Sequence, residues 1–416
     1  MNKAVKVALL AIGDEILYGQ TLDTNSHWMA DQLDSYGFKL VHKATVGDNE
    51  PDILKGLKDG EDRADIILIT GGLGPTADDL TKPCLAKYFD VPLESNPGAL
   101  AELKALFKSI NKELTQNNII QTNLPANSDY ISNSIGTAPG MWIEDNGRVF
   151  VSMPGVPGEM KAMMTNQVIP KLRDKYHLPI VVHRIIKTIG IGESWLANKI
   201  APWEQNLPNN IGLAYLPTLG QVKLRLTSTG KDKAQLNKMM DEQVAELLPY
   251  AENYIYGYGD TKIEELIGDL LKEQGETLAT AESCSGGFLA HLITSVPGSS
   301  DYFKGSIIAY SNEIKEAQLS VNPQTLENYG AVSEETIIEM AKGAKNRLNV
   351  DYAISTSGIA GPAGGTDEKP VGTIWIAVAY GDEVLTKQLK LFKDRVFNIK
   401  MTALYSLGML WRILSK

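Results

Sequence analysis

A chain of 416 residues with 43% hydrophobic residues is too long for one hydrophobic core, and its formal net charge of -10 disfavours a nucleic-acid-coating role, so two or three soluble globular domains are expected. No run of 18 apolar residues occurs, and the apolar stretch from Val5 to Ile12 continues directly into Gly13-Asp14-Glu15 rather than into a signal-peptide pattern; no membrane partner is expected, and the cytoplasm is the expected compartment. The two cysteines, Cys84 and Cys284, form no close pair, and His27, His42, His177, His183 and His291 lack metal-ligand spacing, which argues against a disulfide framework, a zinc hydrolase and a serine enzyme with a histidine base.

From Val5 to about Met164 strand and helix patterns alternate. Val5 to Ile12, Lys39 to Val46 and Asp65 to Thr70 read as strands; Asn25 to Ser35, introduced by Asp23-Thr24, and Pro51 to Leu57 read as helices. Alternation of this kind predicts a parallel, doubly wound sheet with ligands outside the carboxyl ends of its strands. Two loops fall there, Gly13-Asp14-Glu15 and Gly71-Gly72-Leu73-Gly74-Pro75-Thr76-Ala77-Asp78-Asp79. Glycines let backbone N–H groups approach a phosphate, Thr76 adds a hydroxyl, and Asp78 with Asp79 either hold a divalent cation or cap the helix starting near Leu80. A purely structural glycine turn is the alternative. Gly136 to Gly140 and Met153-Pro154-Gly155 add two Gly/Pro loops that close the same pocket or serve only as rigid turns.

Between about Pro170 and Tyr254 the pattern is that of a small, mildly basic α+β unit. It has a strand at Ile180 to Ile186, a helix opened by Gly190-Ile191-Gly192-Glu193, an alternating strand at Gln221 to Ser228 and a helix at Lys231 to Leu248. No Lys/Arg-rich Gly-x-x-Gly loop is present, so a connecting or dimerising role is expected over RNA binding. Ala251 to Lys262, rich in Tyr and Gly, reads as a junction before a helix at Ile263 to Glu273.

The chemistry concentrates at Thr277 to Lys315. A strand at Thr277 to Ala281 ends in Glu282-Ser283-Cys284-Ser285-Gly286-Gly287, and helical spacing begins at Phe288. Such a turn exposes the Ser283 hydroxyl and leaves the N–H groups of Ser285, Gly286 and Gly287 facing outward, able to stabilise an anion. A second strand, Gly305 to Tyr310, precedes a helix whose first turn holds Lys315, so both Tyr310 and Lys315 can reach one pocket at the carboxyl ends of neighbouring strands. Lysine acts as a base only when desolvation or cationic neighbours bring its pKa down from about 10.4 toward 7. The alternatives are that Ser283 is a helix cap, Lys315 a solvated helix residue and Tyr310 an ordinary strand aromatic, or that the neighbouring Cys284 is the nucleophile. Further on, Pro323 to Leu348 reads as helical and Asp351 to Ser355 as a strand. Its glycine-rich exit, Thr356-Ser357-Gly358-Ile359-Ala360-Gly361-Pro362, can cradle a phosphate or a carboxamide oxygen. Ile374 to Tyr380 is a strand and Phe397 to Leu414 the closing helix.

AESCSGG, YSNEIK, GAVSEE (330–335) and SGIAGPAGGTDEKPVGT (357–373) resemble the carboxy-terminal CinA domain, the nicotinamide mononucleotide (NMN) deamidase family, from about Lys262 onward. The resemblance implies hydrolysis of the NMN carboxamide to nicotinate mononucleotide and ammonia without a cofactor. It also implies Ser283, Tyr310 and Lys315 as catalytic residues and Ser285, Gly286, Gly287, Ser357, Gly358, Gly361 and Arg395 as substrate contacts. Lys393 stands where the family has glycine, and Ile399 and Lys400 where a further arginine is often found, which leaves the partner of the NMN phosphate open. TGGLGPTADDLT, GDEILYGQTLDTNS and MPGVPGEM resemble the amino-terminal CinA domain, which shares its fold with the molybdopterin-binding MoaB and MogA proteins, over Val5 to Leu172. This resemblance implies ADP-ribose pyrophosphatase activity with a divalent metal such as Mg at Asp14, Asp78 and Asp79, and phosphate contacts at Gly71, Gly72, Gly74 and Thr76; a molybdopterin-like binding or competence-related regulatory module without catalysis is the alternative. The expected architecture is therefore two doubly wound α/β domains, 1–169 and 256–416, joined by a small α+β domain, 170–255, that is similar to a KH module. NMN and ADP-ribose are the expected partners, nucleic acid is not, and the expected assembly is a homodimer.

Overall fold

The structure, a computed structural model, describes residues 4–76, 78–392 and 394–416; Ala77 of the glycine loop and Lys393 lie outside the described residues. Two compact units emerge, Met1–Val182 with Thr229–Leu236 and His183–Ser228 with Asn237–Lys416.

In the first unit, β1 (Lys6–Ile12), α1 (Asp14–Leu17), α2 (Thr24–Ser35), β2 (Lys39–Val46), α3 (Glu50–Glu61), β3 (Ile66–Thr70) and α4 (Thr81–Tyr88) follow the predicted alternation. Asp23 and Asn49 cap α2 and α3 by accepting from the N–H groups of Ser26 and Asp52. The α3 helix runs past Leu57 to Glu61, and Gly60 in its last turn packs on Ile67. Next come β4 (Leu93–Ser95), α5 (Pro97–Ser109), α6 (Gln116–Ile120), β5 (Asn123–Pro125), β6 (Ser128–Ile131), β7 (Gly140–Asp145), β8 (Arg148–Met153), α7 (Pro157–Met163) and α8 (Ile169–Lys175). The main sheet has the order β2-β1-β3-β8-β7-β6; its first four strands are parallel, and β7 and β6 extend it antiparallel. All five β3 residues are buried, as expected of a strand covered on both faces. Met29, Leu33, Met160 and Met163 cover one face, and Ile53, Leu57, Leu85 and Phe150 the other.

The second unit opens with β9 (Ile180–Ile189), α9 (Glu193–Glu204), β10 (Ile211–Thr218), β11 (Gln221–Gly230), α10 (Lys233–Ala251) and β12 (Ile255–Tyr258), in sheet order β10-β11-β9-β12. The stretch read as a junction thus contains a strand: β12 pairs antiparallel with β9. After α11 (Ile263–Gln274), β13 (Leu278–Glu282), α12 (Phe288–Thr294), β14 (Phe303–Ile308) and α13 (Asn312–Leu319), the single helical stretch expected at Pro323 to Leu348 is two helices, α14 (Pro323–Tyr329) and α15 (Glu334–Leu348). They break at Gly330, at φ +78°, and Ser333 recaps the chain by accepting from the Thr336 N–H. The sheet is completed by β15 (Tyr352–Gly358), β16 (Thr373–Tyr380) and β17 (Glu383–Lys390), which sequence reading missed, and the chain closes with α16 (Arg395–Leu414). In the order β14-β13-β15-β16-β17, the first three strands are parallel and the last two antiparallel. Leu271, Leu289, Leu407 and Leu410 fill one side, and Leu319, Ile337, Met340 and Ala344 the other. The α/β class therefore stands, with the carboxyl ends of β13, β14 and β15 adjacent at one edge.

Candidate active site

Ser283 follows the last residue of β13, and its N–H donates to Thr356 O of β15 at 2.9 Å, which ties the start of the turn to the sheet. Gly286 (φ +59°) and Gly287 (φ +95°) then turn the chain through left-handed conformations into α12. The N–H groups of these two glycines do not face outward as expected. That of Gly286 donates to Ser283 O at 3.1 Å. That of Gly287 donates to the carboxylate of Glu282 at 3.0 Å, as do those of Leu289 and Ala290 at 3.1 and 2.8 Å. Ser285 Oγ pairs with Thr356 Oγ1 at 2.6 Å, and the residue is buried. The N–H groups of Cys284 and Ser285 have no carbonyl or carboxylate acceptor among the described residues, and these are the two donors left for an oxyanion.

Lys315 sits in the first turn of α13, which Ser311 caps, and it is only 1% exposed. Its Nζ lies 3.2 Å from Ser283 Oγ, 2.9 Å from Ala309 O and 3.3 Å from Tyr310 O. Burial pulls its pKa below the ordinary lysine value, with Cys284 and Glu313 acting weakly in the opposite sense. A neutral amine has two donors and one lone pair. Two carbonyls and one hydroxyl are the complement of that set. Cys284 belongs to the apolar cluster, and burial pushes its thiol up to about 12, so it stays protonated at neutral pH and is a poor nucleophile.

The remaining predicted residues divide. Tyr310 lies beyond the end of β14 and is 60% exposed; its carbonyl reaches Lys315, but its phenol accepts from Arg395 at 2.9 Å and makes no hydrogen bond to Ser283 or Lys315. Arg395 also donates to Gly361 O at 2.8 Å. Ser357 is turned away, its hydroxyl donating to Ala331 O at 2.6 Å, and Gly358 is still in β15, packed on Ile374. Sequence reading missed two supports. Asn398, wholly buried, donates from Nδ2 to Ala360 O and Phe392 O and so fixes the loop carrying Gly361. Glu282 is the other, and its signal was visible: a charged residue directly after an apolar strand run and before a double-glycine turn.

In the first unit the glycine loop lines a cleft of about 430 Å³ together with Gly13, Glu15, Asp48, Gln121, Pro154 and Glu159. Gly71 (φ +105°) and Gly72 (φ +63°) are required by sterics, since a Cβ at Gly71 would lie 2.1 Å from Ile12 O. The proposed metal carboxylates do not converge. The Asp79 carboxylate is taken up by the N–H groups of Gly74 and Thr76, at 2.8 and 2.9 Å, and by the Thr76 hydroxyl. Asp14 accepts from the Asp48 N–H at 3.3 Å and does not line the cleft. Asp78 is exposed. Among the described residues no group of three or more His, Cys, Asp or Glu is placed to hold a metal ion. Behind the loop lies a residue not singled out from sequence. Lys82 is buried, donates to Gln121 O at 2.7 Å, and burial pushes its pKa down to about 8 against the pull of Asp79.

No helix among the described residues is long and apolar enough to cross a membrane. Three family models match the chain: a probable molybdopterin binding domain over 8–174, the damage-inducible protein CinA KH domain over 183–257 and the CinA C-terminal domain over 260–414. A CinA-like protein of Cytophaga hutchinsonii is 47% identical over the full length of both chains, and a putative competence-damage inducible protein of Halothermothrix orenii is 41% identical over 98% of each. Among solved structures, a competence-damaged protein (CinA) superfamily protein from Klebsiella pneumoniae is 30% identical and covers 37% of this chain and 96% of its own, at a TM-score of 0.36. The chain belongs to the CinA family.

Proposed function

We propose that the carboxy-terminal half is a serine amidohydrolase that removes the carboxamide nitrogen of NMN. The observation that carries this reading is the buried amine of Lys315, 3.2 Å from Ser283 Oγ and paired with no carboxylate among the described residues. Ser283 Oγ attacks the carboxamide carbon while Lys315 Nζ takes its proton. The C=O electron pair moves onto oxygen, where the N–H groups of Cys284 and Ser285 receive it. Collapse breaks the C–N bond, and the proton on Lys315 passes to the leaving nitrogen, so ammonia departs and an ester on Ser283 remains. Water, deprotonated by Lys315, then cleaves that ester to nicotinate mononucleotide and restores Ser283. Tyr310 and Arg395, joined at the rim, suit the ribose-phosphate end of the substrate better than proton transfer at Oγ. Incubation of the purified protein with NMN should release ammonia and nicotinate mononucleotide in equal amounts. No ammonia from wild type, or an undiminished rate in Ser283→Ala, would overturn the reading.

A second reading concerns the amino-terminal cleft. Its glycine-lined wall, with the buried cation of Lys82 behind it, supports binding of a phosphate-bearing nucleotide such as ADP-ribose. Asp14, Asp78 and Asp79 do not fit a divalent metal in this arrangement, so no step is routed through one. AMP release from ADP-ribose, measured with and without added divalent cation, tests the activity; binding without cleavage leaves a binding module.

A further inference from the structure

Glu282 has no part in the chemistry just described, yet it is a carboxylate with no exposed surface. Its Oε2 accepts from the N–H groups of Gly287 and Leu289, and its Oε1 from that of Ala290. The hydroxyls of Thr280 and Ser306 stand at 3.4 Å from Oε1. No lysine or arginine pairs with it among the described residues, so backbone donors at the start of α12 are what compensate its charge. Resting on the amidohydrolase reading, we propose that Glu282 is the positioning residue of this site: its carboxylate fills the anion position at the helix start and pins the turn that aims Ser283 Oγ at Lys315 and the Cys284 and Ser285 N–H groups at the oxyanion.

Two consequences follow from the geometry. The helix start is closed to a substrate anion, because its donors are already engaged, so the NMN phosphate must be met elsewhere. And the turn is anchored on both sides, to Thr356 through the Ser283 N–H and the Ser285 hydroxyl, and to Glu282 through Gly287. Removing the Glu282 anchor leaves Ser283 and Ser285 tied to the sheet but releases the helix side of the turn, so the backbone between them is no longer held from both ends.

The test compares Glu282→Gln and Glu282→Ala with wild type in two assays, ammonia release from NMN and the rate at which a fluorophosphonate probe labels Ser283. Gln keeps one acceptor oxygen for the N–H groups of Gly287 and Leu289 but sets an amide NH2 against that of Ala290. The expected result is a fall in kcat of about 10-fold for Gln and about 100-fold or more for Ala, on the scale of losing an oxyanion donor, with KM for NMN changed less than about 3-fold. Probe labelling should slow in parallel. If wild type releases no ammonia but is labelled at Ser283, and both variants are labelled slowly, the substrate reading fails and the positioning role stands. A folded variant labelled at the wild-type rate overturns the role. Should both variants fail to fold, amide exchange of the wild-type protein decides: the Gly287, Leu289 and Ala290 amides should be protected like interior helix amides, and exchange at the rate of an open first turn overturns it.

Discussion

The two units solve the same local problem, a double-glycine turn after a buried strand, and use a carboxylate to hold it. At 71–79 Asp79 gathers the N–H groups of Gly74 and Thr76; at 282–290 Glu282 gathers those of Gly287, Leu289 and Ala290. The outcomes differ because of what the neighbouring strand adds. Beside Glu282, the connection out of β14 brings a buried amine against a hydroxyl. Beside Asp79 the loop wall is glycine backbone, the nearest buried amine points at Gln121 O, and the cleft stays open. A carboxylate in a glycine turn can thus be scaffold before it is ligand, and reactivity comes from a second element that desolvates a base.

The largest effect should come from breaking the reactive turn. Ser283→Ala is expected to lower ammonia release from NMN by at least about 10³-fold, the scale on which catalytic groups acting as one unit fail. Lys315→Met should fall in the same range, and Lys315→Arg should not rescue, because a guanidinium keeps its proton near neutral pH. Nucleotide binding at the amino-terminal cleft should be untouched by all three, as calorimetry with ADP-ribose would read. A Ser283→Ala protein that still releases ammonia at a tenth of the wild-type rate would remove the distinction between the two turns.

The other turn should fail differently. Asp79→Ala frees the N–H groups of Gly74 and Thr76, and ADP-ribose affinity is expected to drop about 10-fold, comparable to losing one or two charge-assisted hydrogen bonds. Asp78→Asn, at an exposed position, should change it less than about 2-fold, and neither should alter NMN deamidation. Equal losses in both, restored by added divalent cation, would return the pair to the role of metal ligands.

Why Ser283 and Lys315 could be paired from sequence alone, while the scaffolding acids could not, has a physical reason. Both lie just past strands whose apolar runs are plain, and the carboxyl ends of neighbouring parallel strands meet. The partners of Glu282 and Asp79 are backbone N–H groups, and their directions depend on left-handed turns at Gly287, Gly71 and Gly72 that composition does not specify. Tyr310 shows the same limit. Its strand ends at Ile308, so alternation no longer fixes the ring, and the phenol turns to Arg395 instead of Ser283. The Tyr- and Gly-rich stretch at 251–262 looked like a linker because edge strands need few apolar residues, yet β12 pairs with β9.

A smaller effect separates the two candidate nucleophiles. Cys284 fills part of the apolar cluster, and removing its sulfur should cost about 1 kcal/mol of stability, near the lower end for core truncations. Cys284→Ala should keep kcat within about 3-fold of wild type while lowering the melting temperature. Loss of activity with an unchanged melting temperature would transfer the nucleophile's role to the thiol.

The smallest expected effect is a drift of stability with pH, and it reads the desolvation of Lys315 directly. Its folded-state pKa lies below the ordinary lysine value of 10.5 because burial disfavours the ammonium. Between the lowered folded value and the unfolded one, the unfolded chain binds more protons at this position, so the term rises with pH across that window, is complete above the unfolded pKa and is lost as pH falls through the folded one. Lys315→Met lacks the term, while every other titrating group is common to both proteins. The melting temperature of the variant minus that of wild type should therefore decline as pH rises from the lowered folded value toward 10.5. In the wild type, kcat/KM for NMN should rise with pH through the same lowered pKa and then level, since only the neutral amine accepts the Ser283 proton. A flat difference in melting temperature would mean that Lys315 keeps its proton in the folded state, and the buried base that sets the second unit's turn apart from the first's would have to be sought in another group.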